Sequence, residues 1–268
     1  MAHLSCLVWQ AEMAVKEAEE WNTGEGMLKW QSCFDCGQQF HGVVLVALGW
    51  AAWKTYLGRS EPDGYRTMAI GNLGDVLRLN GQPEDALPVL EANLDLTRRH
   101  WSHDESNMLI AQSNLAVCYG VLGRHDRALV MHRAIFARTV KLRGKNSDHA
   151  LIDGLNLAET LRNLGRFAEA ATLARKQLSL ARSRQSNGAM VVEFEHESAQ
   201  ETILLLTRTL ADSLCQNPEA SRGDVREAVS LLQHSLEQAR QTFGARHPRT
   251  VQTEEKLEAA RHLELPNS

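Results

Sequence analysis

Two pairs of potential metal ligands lie close to the start of the sequence. Cys33 and Cys36 form a CxxC pair, and His3 and Cys6 form an HxxC pair before it. Thiolate sulfurs and imidazole nitrogens at such spacings bind zinc, and four of them would complete a tetrahedral site. A redox function for the CxxC pair is disfavoured, because no βαβ pattern surrounds it. The four residues are therefore candidate ligands of an incomplete zinc site, and the alternative is that they bind no metal.

No cluster of catalytic groups is recognisable in the chain. It contains no Gly-rich phosphate loop, no HExxH motif and no GxSxG motif. The 11 histidines are scattered, and several lie between predicted helices, where solvated or capping functions are expected. We therefore predict a protein that is not an enzyme, has no small-molecule substrate and needs no cofactor apart from the candidate zinc.

The chain instead repeats one pattern at a step of 42 residues. Asn72, Asn114 and Asn156 are separated by that step (114 − 72 and 156 − 114), and each is followed by leucine. A glycine and then an alanine recur further along at the same step. These residues are Gly81, Gly123 and Gly165, and then Ala86, Ala128 and Ala170. A repeat of this length is typical of a solenoid, in which each unit packs on its neighbours.

Each unit predicts two helices joined by a short turn. Before the glycine, apolar residues recur at helical spacing, as in Leu73, Val76 and Leu77. The glycine ends the first helix, because it accepts the left-handed backbone conformation of a helix stop. Pro83 marks the first turn of the second helix. Pro88 falls inside that helix and should kink it or delay its start.

A fourth unit is present but distorted. Thr209 takes the place of the asparagine and Ala228 that of the alanine, with polar insertions at residues 182–188 and 216–223. A helix over residues 42–57 precedes the first unit, and a charged helix over residues 250–263 follows the fourth as a solvent-facing cap. Because each helix pair has an apolar face that it cannot cover alone, successive pairs should stack.

The Gly-turn-Ala pattern resembles that of tetratricopeptide repeats, and the 42-residue period is similar to the long repeat of kinesin light chains. The linkers at residues 142–149 and 243–250 also resemble those of that group, and the resemblance covers roughly residues 65–263. It implies an all-α fold, a right-handed helix-turn-helix solenoid of about four repeats plus capping helices. We expect a Cys/His-containing segment (residues 1–41), a capping helix with a linker (42–64) and the solenoid with its C-terminal capping helix (65–268).

In this family the first helices of successive repeats line a concave groove that holds a peptide or protein. An asparagine amide offers both a donor and an acceptor to an extended peptide backbone. The resemblance implies that Asn72, Asn114 and Asn156 contact the partner. Neighbouring residues expected on the same face of the groove are Asp75, Glu159 and Asn163, with Arg78 and Arg162 near its margin. Apolar patches are expected between them at Met68, Ile110, Val117, Val121 and Ile152. The alternative is that the asparagines are structural and bond between adjacent helices.

The HxxC–spacer–CxxC arrangement resembles the second half of a RING-variant (RING-CH) zinc finger. Such a finger has eight interleaved ligands, and the four earlier ones are missing before His3. The resemblance implies a truncated or decayed finger, and the chain would then be the substrate-recruiting fragment of a ubiquitin ligase. That is the alternative to our leading hypothesis, a non-catalytic scaffold for a peptide or protein partner. A third hypothesis is an architectural subunit, whose groove is filled by its own terminus or by a second copy.

Composition disfavours several other classes of partner. The net charge is −4 and no run of Lys or Arg occurs, so no nucleic acid is expected. The most apolar stretch, residues 43–53, is too short to span a bilayer, so no membrane contact is expected. The first residues lack the charged start and apolar core of a secretory signal, and the five cysteines form no regular framework. We therefore predict a cytoplasmic protein.

Overall fold

The computed structural model describes residues 4–20, 27, 29–33, 40–61, 63–186 and 199–264. These residues form eleven α-helices and no β-strand. The helices are α1 (Leu4–Glu20), α2 (Gly42–Leu57), α3 (Gly64–Leu79), α4 (Pro83–His100), α5 (Glu105–Val121), α6 (His125–Arg143), α7 (Asp148–Asn163), α8 (Phe167–Ser186), α9 (Ala199–Gln216), α10 (Arg222–Phe243) and α11 (Pro248–Glu264). Within the described ranges, none of the helices combines the length and the apolarity needed to cross a bilayer.

The chain divides into two compact units, Met1–Arg124 and His125–Ser268. In the first unit each helix from α1 to α5 packs on the next, and α3 also touches α5. In the second unit each helix from α6 to α11 packs on the next, α7 touches α9, and α9 touches α11. The first helices of the repeats therefore lie beside one another within each unit. They are α3 and α5 in the first unit, and α7, α9 and α11 in the second.

Glycine ends the first helix of three repeats, as the sequence predicts. Gly81 has a φ of 77°. The N–H groups of Gly81 and Gln82 donate to the carbonyl oxygens of Arg78 and Leu77 at 3.1 and 2.9 Å. The same two bonds recur at the equivalent glycines of the next two repeats. This pairing satisfies the last carbonyl groups of a helix, and it requires the left-handed conformation that glycine adopts without strain.

Side-chain oxygens cap the other end of the first helices. Asp63 accepts from the N–H of Arg66 at 2.7 Å at the start of α3, and Asp104 and Ser147 cap α5 and α7 in the same way. Each cap stabilises its helix by about 1 kcal/mol. The second helix of the first repeat, α4, begins at Pro83 and continues through Pro88. Pro88 therefore does not delay the start of α4.

Small residues allow the two helices of a repeat to approach closely. The alanine that recurs in the second helix is fully buried in all four repeats, at Ala86, Ala128, Ala170 and Ala228. A larger side chain there would force the helices apart, because protein interiors are close-packed. The recurrence of this alanine at the repeat step is therefore explained by its burial.

The N-terminal helices share a hydrophobic core with the first repeat. Trp30, Tyr56 and Ala69 lie in one cluster with apolar residues of α1 and α2. The Arg59 guanidinium lies over the Tyr56 ring, 4.8 Å from its centroid, and forms an ion pair with Glu19 of α1 at 2.5 Å. These contacts attach α1 to the junction of α2 and α3. The domain boundaries after residues 41 and 64 stay predictions.

Candidate partner-binding surface

Four matched positions on α3 and four on α5 form one surface of the first unit. They are Met68, Asn72, Asp75 and Leu79 on α3, and Ile110, Asn114, Val117 and Val121 on α5. Spacings of four, three and four residues place each set on one face of its helix. Because α3 touches α5, the two sets lie side by side. We call these eight residues the α3–α5 face.

The α3–α5 face is polar at its centre and apolar at its ends. Asn72 and Asn114 are half-buried in the middle. At the ends, the exposed fractions are 45% for Met68, 40% for Ile110, 63% for Leu79 and 55% for Val121. Among the described residues we find no hydrogen-bond partner for either asparagine side chain. The face therefore presents two donor–acceptor groups between two uncovered apolar ends.

Asp75 and Arg78 pair with each other. Arg78 donates from Nε and Nη2 to Oδ1 of Asp75 at 3.1 and 2.6 Å, across one turn of α3. The pair is half-buried, and a contact of this kind stabilises a helix by about 0.5 kcal/mol. Its main consequence here is that the only carboxylate of the α3–α5 face is neutralised by an arginine beside it.

In the second unit, the predicted residues of α7 bind α9. Thr209 donates from Oγ1 to Glu159 at 3.5 Å, and Arg162 donates to Gln216 at 3.3 Å. Burial raises the pKa of Glu159, although the charges of Arg162 and Arg208 oppose that rise. Glu159 and Arg162 therefore each contact the first helix of the fourth repeat. Thr209 is buried, so the fourth repeat presents no carboxamide at this position.

Asn156 and Asn163 lie on the same face of α7. Asn156 is half-buried and Asn163 is exposed. No hydrogen-bond partner for the Asn156 amide is found in the part of the chain that the structure describes. This amide therefore resembles those of Asn72 and Asn114 in lacking a bond to an adjacent helix.

Three further pairs join α9 to α11. Lys256 donates to both carboxylate oxygens of Asp212 at 2.8 and 2.6 Å, Arg208 donates to Gln252 at 3.0 Å, and Arg249 pairs with Glu201. Together with the two α7–α9 contacts, we call these pairs the α7–α9–α11 ladder. The Nε atoms of Arg162 and Arg208 are buried beside it, and neither has a hydrogen-bond partner among the residues that the structure describes.

Helix α11, predicted as a solvent-facing cap, also contributes to this ladder. Leu257 and Ala260 are buried and Lys256 binds Asp212 of α9. One signal was available in the sequence. Asp212 and Lys256 are 44 residues apart, close to the repeat step, which is the spacing expected if α11 is the first helix of a fifth repeat.

Comparison with known proteins identifies the repeats. Three stretches match models of the tetratricopeptide repeat, at residues 109–133, 155–187 and 219–249. They fall in the second to fourth predicted units. The chain therefore carries tetratricopeptide repeats. No curated protein sequence matches the chain significantly.

Solved structures share the fold. A Podosopora anserina protein described as a kinesin light chain with nearly identical TPR-like repeats aligns with a TM-score of 0.52 and 19% identity, over 91% of this chain and 100% of that one. A single-residue variant of it aligns with a TM-score of 0.56 and 21% identity, over 74% and 85%. BtubC (BKLC) from P. vanneervenii aligns with a TM-score of 0.59 and 15% identity, over 92% and 95%. The predicted all-α, helix-turn-helix solenoid of tetratricopeptide type is confirmed, and at these identities the likeness is one of fold alone.

The candidate zinc ligands are only partly described. Cys6 lies exposed on α1 and Cys33 is half-buried, while His3 and Cys36 lie outside the described residues. Across the ranges that the structure covers, no three His, Cys, Asp or Glu side chains gather into a group that could hold a metal ion. The two described cysteines do not by themselves make a zinc donor set. The zinc site, the RING-CH resemblance and the ligase hypothesis therefore stay predictions.

Proposed function

We propose that this chain is a non-catalytic scaffold that binds an extended segment of a partner protein, with the α3–α5 face as its principal contact surface. One observation carries the proposal. Asn72 and Asn114 occupy matched positions on touching helices, with exposed apolar side chains at both ends of the face. The tetratricopeptide repeats support it, since stacked helical repeats form extended binding surfaces.

The chemistry of the α3–α5 face suits a peptide in an extended conformation. Such a peptide has backbone N–H and C=O groups without partners of its own, and each carboxamide can donate to one and accept from another. The apolar ends offer surface for peptide side chains to cover, at about 25 cal/mol per Å². Because Arg78 neutralises Asp75, the face favours a segment with apolar side chains and little net charge.

The α7–α9–α11 ladder has a supporting function in this proposal. Its ion pairs and hydrogen bonds hold the first helices of the second unit in fixed positions. A surface fixed before binding loses less conformational entropy when a partner binds. Asn156 and Asn163 on α7 are proposed as separate partner contacts within the second unit.

The proposal is tested by selecting a displayed library of random peptides on the full chain. Selection on the wild type is compared with selection on the Asn72→Ala/Asn114→Ala variant, with Asn146→Ala as the matched control. Asn146 is an exposed asparagine in the turn before α7. We expect the wild type and the Asn146→Ala variant to enrich the same apolar peptides, and the double variant to lose them. Enrichment of the same peptides by all three proteins would contradict the assignment of the α3–α5 face.

A further inference from the structure

Helix α2 is apolar on every side. Lys54 is the only charged residue in its sequence, GVVLVALGWAAWKTYL. One side faces the hydrophobic core, where Leu48, Ala52 and Tyr56 are buried. A helix that is apolar all round is normally enclosed by protein or lipid, because a helix at the surface keeps one polar face toward water.

Among the described residues, nothing covers the outer side of α2. Val43 is 82% exposed, Trp50 is 43% exposed and Leu57 is 46% exposed. These three residues are spaced by seven, or two helical turns, so they lie along one line of the helix surface. We call them the α2 stripe.

The α2 stripe is complementary to itself. Trp50 lies midway between Val43 and Leu57. When two copies of α2 cross in antiparallel orientation at Trp50, each Val43 therefore meets Leu57 of the other copy, and the two Trp50 rings meet at the centre. Ala47, on the same side one turn before Trp50, leaves room for the ring of the other copy. A two-fold dimer requires a surface that matches itself in this way. We propose that two copies of this chain form a dimer through their α2 stripes.

A second protein copy fits α2 better than a lipid surface does. Helices that lie in a membrane interface carry several Lys or Arg residues on a polar face. Here the face opposite the α2 stripe is protein core, and Lys54 is the only cation on the helix. The next cation, Arg59, is engaged by Glu19 and by the rings of Tyr56 and Tyr65. The stem of Lys54 is flexible and lets its ammonium group reach water at the edge of the dimer.

The size of the surface sets the expected affinity. A 16-residue helix is about 24 Å long, and one helix pair buries less than the roughly 800 Å² per partner of a standard interface. The dimer should therefore dissociate in the micromolar range, on the order of 1–10 μM.

The experiment is sedimentation equilibrium of the full chain with two matched variants. Val43→Glu places a charge in the α2 stripe, in the first turn of α2, where a carboxylate favours the helix dipole and folding is preserved. Val130→Glu on α6 is the control, because Val130 is also a highly exposed valine, at 70%. We expect the wild type and Val130→Glu to dimerise alike, and the dissociation constant of Val43→Glu to rise at least about tenfold. A monomeric wild type, or a Val43→Glu dimer as tight as the wild type, would overturn the proposal.

A mixing experiment tests the antiparallel arrangement. Leu57→Lys adds a cation at the last residue of α2, where the helix dipole favours it. In an antiparallel dimer, Val43→Glu in one copy meets Leu57→Lys in the other, so the mixture should dimerise more tightly than either variant alone. No gain on mixing would overturn the antiparallel pairing. If the wild type is monomeric and sediments with neutral phosphatidylcholine vesicles, the α2 stripe is a lipid contact and the dimer is excluded.

Discussion

Gly74 on α3 and Leu90 on α4 pack so closely that a Cβ atom added to Gly74 would lie 2.6 Å from the Leu90 side chain. Leu90 is fully buried. Two repeats later the equivalent residues are Ala158 and Ala174, and both are fully buried as well. The equivalent positions therefore hold a glycine and a leucine in the first repeat and two alanines in the third. In the first repeat, the missing Cβ of Gly74 leaves room for the larger side chain of Leu90.

This close packing of Gly74 against Leu90 makes a prediction for the first repeat. Gly74→Ala should lower the free energy of unfolding by about 1 kcal/mol, because overpacking outweighs the gain of about 1 kcal/mol in helix propensity. Leu90→Ala alone should lower it by about 2–5 kcal/mol through the cavity that it leaves. The double variant recreates the alanine pair of the third repeat, so its loss should be smaller than the sum of the two. Urea unfolding of all four proteins measures the coupling, and strictly additive losses would contradict the packing account.

A second prediction concerns His132 on α6. It takes the position of Leu90 in the next repeat and is 2% exposed. Within the described ranges, its Nδ1 atom has no hydrogen-bond partner. Burial lowers its pKa from 6.5 to about 4. The unfolded chain therefore binds a proton more readily than the folded chain. The free energy of unfolding should fall as pH drops from 6.5 toward 4, by up to about 3 kcal/mol from this residue.

His132→Leu should remove that part of the acid sensitivity. Leucine is the residue that the first repeat uses at this position, so the variant should fold. Urea unfolding at several pH values between 7 and 4 should show that the advantage of His132→Leu over the wild type grows as pH falls. His234→Leu, at an exposed position of α10, is the matched control for loss of an imidazole and should show no such growth. A constant difference between His132→Leu and the wild type would refute the prediction.

A third prediction concerns Glu159 in the α7–α9–α11 ladder. Burial raises its pKa, so ionisation of this carboxyl destabilises the folded state as pH rises above the unfolded value of 4.5. Glu159→Gln keeps an oxygen that can accept from Thr209 but removes the buried charge. Thermal unfolding at neutral pH should give a higher Tm for Glu159→Gln than for the wild type. Glu237→Gln, at an exposed position of α10, is the control and should leave the Tm unchanged. A lower Tm for Glu159→Gln would mean that the attraction of the Glu159 carboxylate to Arg162 and Arg208 outweighs the free-energy cost of burying its charge.

The repeat step predicted most of the helical framework. Because Asn72, Gly81 and Ala86 recur without a slip in three units, the helix pairs, their glycine stops and their buried alanines followed from the sequence. These features depend on short-range backbone geometry and on residue volume, and a short stretch of sequence determines both.

The contacts between repeats were less predictable. The insertions around the fourth unit interrupt the 42-residue step. The pairing of Asp212 with Lys256 and of Thr209 with Glu159 therefore could not be read from the repeat. The burial of Glu159 depends on where α9 packs, which the pattern within one repeat does not encode. In the same way, the sequence showed that α2 is apolar but not which of its sides stays uncovered, since that depends on how α1 and α3 pack against it.

The most direct test of the central claim, that Asn72 and Asn114 bind the backbone of a partner segment, is a calorimetric double-mutant cycle with a peptide selected by the full chain. One peptide backbone amide at a time is replaced by an ester, which removes a single N–H donor, and binding is measured with the wild type and with Asn72→Ala/Asn114→Ala. At one or two positions, the ester should weaken wild-type binding about tenfold and change binding to the variant little. If the ester and the asparagine substitutions weaken binding independently at every position, the asparagines do not bond the peptide backbone and the account is wrong.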